Sequence, residues 1–93
     1  MKPLKTFGEY LKEGTAKKQS PDKLRSRSLI SESEDSYKIL LSFIEKMGLD
    51  DNKANHVIKN AYDIIMELVR AKMLSDGFGT TGKGAHEAEV SYL

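Results

Sequence analysis

Ninety-three residues limit this chain to one domain, and a chain so short buries only about 60–65% of the surface its unfolded form exposes. It has no cysteine, which excludes disulfide staples and thiolate metal sites and leaves oligomerisation as the usual means of support. The formal net charge of +1 is unevenly spread: residues 1–27 hold eight basic and three acidic groups (net +5), and residues 28–93 hold seven and eleven (net −4).

Residues 1–14 place Leu4, Phe7, Tyr10 and Leu11 at helical spacing. Pro3 suits a first turn and Gly14 a stop, so a short amphipathic helix is expected. Charges interrupt every short apolar run here, unlike a signal peptide. Residues 15–20, TAKKQS, read as a polar linker. The segment 1–20 is therefore set apart as a basic leader to a domain over 21–93.

Ser20-Pro21-Asp22 opens a long helix that runs toward Met47, with serine as the cap and proline in the first turn. Its apolar face reads Leu29/Ile30, Tyr37, Leu40, Leu41, Ile44 and Met47. The patch at 31–36, SESEDS, reads as a solvated face. Glu34 and Lys38 are spaced for an i, i+4 ion pair. Gly48 stops the helix, and Asp50 or Asp51 caps the next. So short a connection makes the two helices an antiparallel hairpin.

The second long helix covers 54–74. Ala54, Val57, Ile58, Ala61, Ile64, Ile65 and Leu68 form a helical stripe, and Tyr62, Met66, Val69, Met73 and Leu74 extend it almost all the way round. A helix apolar on most sides is a buried one, so partners must wrap it, and Ile65→Asp is expected to abolish both folding and association. Met47, Met66 and Met73 read as core filler. Arg70, between Val69 and Ala71, needs a carboxylate or phosphate partner. Glu67 offers an i, i+3 pair, and Glu34, Glu87 or Glu89 could reach it across the bundle.

Residues 77–84, GFGTTGKG, are too glycine-rich to hold regular structure cheaply. They match GxGxxG and the first seven places of a Walker A loop. Both motifs need a strand entering the loop, and Walker A needs Ser or Thr after Lys83, where Gly84 stands. A weaker anion or nucleotide site remains, with Lys83, His86 and Arg70 as its candidate residues. The competing reading is a flexible turn. His86 and Glu89 are at most two metal ligands, and the H-E-x-x-H pattern fails at Val90, so no metal or cofactor is expected. Residues 85–93 read as a short third helix whose apolar pattern stops at Leu93 without a cap. That stop is expected to reflect a cut domain, or completion on another chain.

Lys17, Lys18, Lys23, Arg25 and Arg27 form a candidate nucleic-acid arm. The arm could equally dock on the acidic body of its own or a sister chain. No serine–histidine–acid or paired-carboxylate constellation can be argued.

The leader FGEYLKEG, the helix SPDKLRSRSLISESEDSYKILLSFIEKMG and the segment NAYDIIMELVRAKMLSDGFGTTGKGAHEAEVSYL resemble the first part of HEPN-domain proteins, especially small archaeal and bacterial ones. The likeness spans roughly 21–93. It implies an up-and-down four-helix bundle, commonly dimeric, that often pairs with a small nucleotidyltransferase. Some members are metal-independent ribonucleases, toxins among them, with an Arg-x4–6-His pair. None of Arg25, Arg27 and Arg70 has that spacing to His56 or His86, so no catalytic residue carries over.

The expectation is an all-α, HEPN-like partial bundle: an antiparallel hairpin plus a short third helix, completed by self-association as a homodimer or higher oligomer. Its expected role is a non-catalytic interaction module in the cytoplasm, without a membrane partner. The alternatives are a subunit of an HEPN ribonuclease or nucleotidyltransferase-associated system, and a nucleic-acid binder using the 1–27 arm.

Overall fold

The computed structural model describes residues 4–93. Helix α1 spans Phe7–Glu13, strand β1 Ala16–Lys18, helix α2 Lys23–Met47, helix α3 Asp51–Asp76, strand β2 Phe78–Thr80 and helix α4 Ala85–Ser91. The chain is mostly helical, as expected, with a small two-stranded ribbon added.

Local signals account for most boundaries. The Thr6 side chain accepts from the Glu9 N–H, and the Glu9 carboxylate reaches back to the Thr6 N–H, a reciprocal cap on α1. Gly14 closes that helix in the left-handed region, at φ 85°. Pro3, assigned to its first turn, lies outside the described residues. Asp22, not Ser20, caps α2 and accepts from the Arg25 N–H at 3.0 Å. Asp50 caps α3 in the same way through the Lys53 N–H.

The two segments read as linker and turn pair with each other. β1 and β2 are antiparallel, with Ala16 opposite Thr80, Lys17 opposite Gly79 and Lys18 opposite Phe78. The pairing continues beyond the ribbon: the Gln19 N–H donates to the Gly77 carbonyl (2.8 Å), and the Thr81 N–H to the Thr15 carbonyl (2.9 Å). Strand alternation is invisible in so short a ribbon, because only Ala16 of β1 is buried. At Gly79 a Cβ would stand 2.5 Å from Gln19 Oε1, so any larger residue there would displace the Gln19 side chain.

Helices α2 and α3 form the expected antiparallel hairpin, but their seam is not the apolar face that the periodicity suggested. Ser26 and Ser33 are buried in it, Ser33 only 2% exposed, and Ser36 is half-buried. Leu40 is the one large apolar side chain of α2 that is buried. Ser26 Oγ donates across the seam to the Ala71 carbonyl (2.7 Å), and Ser33 Oγ donates to its own helix at Leu29 (2.8 Å). These bonds satisfy hydroxyls that would otherwise be costly to bury. The 31–36 patch is thus partly an interface, not a solvated face. Ile30, Tyr37, Ile39 and Leu41 are displaced outward and exposed. Met66 and Met73 are core as expected, whereas Met47 is exposed. Among the described residues, Glu34 and Lys38 make no ion pair.

At the open end of the hairpin the leader packs against α4. Tyr10, Ala16 and Ala88 are buried together, with Phe7 and Leu11 against them. Phe7 meets Phe78 edge-on at 5.2 Å and Tyr92 at 4.7 Å. The Tyr92 hydroxyl donates to Asp76, joining α4 to the end of α3. Burial first, and then the Asp76 carboxylate, push Tyr92 up to about 12.

The whole body is a slab of 46 × 36 × 18 Å. The radius of gyration is 15.4 Å, against about 12 Å for a compact domain of this length. The accessible surface is 6811 Å², where a folded monomer of this mass averages roughly 5,400 Å².

Phe7 joins three elements through one ring. Phe7→Ala is expected to destabilise the chain by roughly 2–4 kcal/mol in urea unfolding. A loss below about 0.5 kcal/mol, the range of ordinary surface changes, would contradict this account of the leader.

Candidate functional site

The most developed concavity lies where the ribbon crosses the hairpin, with a volume of about 390 Å³. Its polar lining is Gln19, Arg25, Arg70, Thr80 and Glu89. Leu29, Met73, Leu74 and Phe78 supply apolar wall. Arg25 comes from the first turn of α2 and Arg70 from the last turns of α3, which antiparallel pairing places side by side. β2 delivers Thr80, and α4 delivers Glu89.

Glu89 is the partner that Arg70 required. Its Oε2 accepts from Arg70 Nε at 3.0 Å and from Thr80 Oγ1 at 3.3 Å. The Glu89 side chain is only 10% exposed, and that of Arg70 is 44% exposed. The alternative pair with Glu67 is not formed among the described residues.

The structure separates the candidate anion residues. Lys83 is exposed in the loop before α4 and lines none of the clefts described here. His86 turns toward α3, where its Nε2 and the Tyr62 hydroxyl are hydrogen-bonded at 2.6 Å. Only Arg70 lines the pocket. The basic arm is likewise divided. Lys17 and Lys18 are neighbours on a strand, whose side chains alternate between faces. Lys23 Nζ donates to Ser75 Oγ at 3.4 Å. Arg25 enters the pocket, and Arg27 lies two residues on, roughly 200° round the helix.

Gln19, Arg25 and Thr80 had not been grouped with Arg70. A signal was present: a hairpin turning at 48–50 brings position 25 opposite the low seventies. Among the described residues, no group of three or more His, Cys, Asp or Glu could hold a metal ion, and no helix is long and apolar enough to cross a membrane.

A second cleft of about 300 Å³ follows the middle of the seam, lined by Ser36, Ile39, Asn60, Asp63, Ile64 and Glu67. Glu67 Oε1 is buried and has no hydrogen-bond partner among the described residues. Burial first, and then the neighbouring Glu32, raise the Glu67 carboxyl above its ordinary value of 4.5.

No protein-family model matches the chain, and neither a curated protein nor a solved structure matches it significantly.

A carboxyl raised by folding contributes stability that is complete below its unfolded value and lost as pH rises through its folded value. Glu67→Gln is therefore expected to raise the melting temperature over the wild type at about pH 7 and to lose that advantage near pH 3.5. Melts followed by circular dichroism at both pH values check this. An equal difference at both, or a loss at neutral pH, would contradict it.

Proposed function

We propose that this chain is a non-catalytic helical interaction module of the HEPN-like kind, and that its first partner is a second copy of itself. The observation that carries the reading is a strip on α3 whose large residues are exposed, with half-buried alanines between them. Ala54, Ile58, Ala61, Ile65, Leu68 and Lys72 step alternately by four and three residues, the spacing of a helix-pairing seam. Ile58 is 66% exposed, Ile65 50% and Leu68 43%.

Helix α2 adds a second row. At about 100° per residue, Ile30, Tyr37 and Leu41 lie roughly 70° round α2 from the serine seam. Ile58, Ile65 and Leu68 lie roughly 115° round α3 from Ile64, Glu67 and Ala71, which border α2, in the same sense. Rotations of the same sense in antiparallel helices lead to the same side of the pair. The hairpin therefore offers one broad apolar face, of the kind that marks an interaction site.

A second copy suits this face because each hairpin supplies both rows, as a self-complementary two-fold contact requires. The surface excess, roughly 1,400 Å² over the average monomer, exceeds the about 800 Å² per partner of a standard interface. The HEPN-like assignment itself rests on the sequence resemblance over 21–93. No arginine and histidine in this chain stand at the spacing of the ribonuclease pair, which favours the interaction reading over a nuclease.

Sedimentation equilibrium tests the reading. The wild type is expected as a dimer at micromolar concentration. Ile65→Asp is expected as a monomer of unchanged helicity, with association weakened at least about a hundredfold. Half-exposed in the single chain, Ile65 lies outside its core, so the loss of folding expected from sequence does not follow. A monomeric wild type would overturn the proposal; it would leave a different chain, such as a nucleotidyltransferase-type protein, as the occupant to seek.

A further inference from the structure

The self-association face and the arginine-lined pocket are separate features, and the second carries an inference of its own. We infer that the pocket binds a small organic anion, with an oxyanion head held by Arg25 and Arg70 and an apolar body against the hairpin wall.

The charge arrangement defines the head. Two arginines, from opposite helices of the hairpin, line one cavity. Glu89 is the only carboxylate in its lining, and its Oε2 is already engaged by Arg70 Nε and Thr80 Oγ1. That contact grips Arg70 by its Nε edge. Its terminal amino groups, and the whole Arg25 guanidinium, have no carboxylate partner among the described residues. A guanidinium presents its N–H groups as a rigid fork matched to carboxylate and phosphate oxygens. Two positive groups against one negative leave a net charge of +1, suited to a head of low charge.

The rest of the cavity defines the body. Leu29, Met73, Leu74 and Phe78 form an apolar wall. The volume of about 390 Å³ falls at the small end of the roughly 300–1,000 Å³ typical of ligand pockets, and is more than a bare inorganic ion would fill. Gln19 closes one side. Its backbone N–H donates to the Gly77 carbonyl, and its side-chain amide lies over Gly79. The two glycines thus allow Gln19 to lie across the ribbon and shape the pocket.

Titration of the ¹⁵N-labelled full chain with hexanoate, hexyl phosphate and 1-hexanol tests this. Saturable shifts of the Arg25 and Arg70 Nε–Hε signals and of the Gly79 and Thr80 amides are expected with at least one anion. The expected Kd is about 1 mM or lower, which corresponds to about −4 kcal/mol. The stronger of the two anions identifies the head group. The neutral alcohol is expected to cause no saturable shift. Arg25→Gln should weaken binding at least tenfold with the circular dichroism spectrum unchanged. Arg25 is the suitable variant because removal of Arg70 would leave the Glu89 carboxylate buried without its cation. Shifts that fail to saturate, that are matched by hexanol, or that persist in Arg25→Gln would overturn the inference.

Discussion

The hairpin is organised by what its two helices can bury against each other, and on the α2 side that is Ser26 and Ser33 with Leu40 alone of the large apolar residues. Ser26, Ser33 and Ser36 occupy the α2 side of the seam over its first half, with hydroxyls of the first two returned to backbone carbonyls. Small side chains let the helices close, but they remove little apolar surface from water. The larger residues therefore lie to either side of the contact. Ile30, Tyr37 and Leu41 on α2, with Ile58, Ile65 and Leu68 on α3, form a face that stays largely exposed, with Tyr92 and Leu93 flanking Ile65 and Leu68 at one edge. The slab shape, the long radius of gyration and the surplus surface are three measures of the same constraint.

The other end of the molecule is closed by a different device. The ribbon joins the leader to the glycine-rich segment, bringing α1, α4 and the end of α3 into one packed cluster. Phe7, Phe78 and Tyr92 form its aromatic centre. The same ribbon supplies Gln19 and Thr80 to the arginine pocket. One end of the hairpin is thus covered by its own chain and holds the arginine-lined cleft, while the long apolar face stays exposed.

Much of the fold was legible where the signals are local. The stops at Gly14 and Gly48 and the cap at Asp50, one of the two aspartates read for it, each depend on neighbours within a few residues, and so does the hairpin. The ribbon was not legible, because it joins residues about 60 positions apart and buries a single alanine of β1. The seam was misread for a related reason. Periodicity ranks residues by hydrophobicity, so it assigned Tyr37 and Leu41 to the core and Ser33 to solvent, and the structure reverses both. In the pocket, the need of Arg70 for an acid was readable from its apolar neighbours, and Glu89 was among the candidates. Arg25 was absorbed into a run of basic residues, and only the hairpin register separates it from that run.

The central claim is that a second copy covers the apolar face of the hairpin. It is tested most directly by isotope-filtered nuclear Overhauser spectroscopy on an equimolar mixture of ¹³C-methyl-labelled and unlabelled chains. Cross-peaks between chains are predicted from the methyl groups of Ile58, Ile65 and Leu68. A dimer whose intermolecular contacts lie elsewhere, or a mixture with none, would contradict the account.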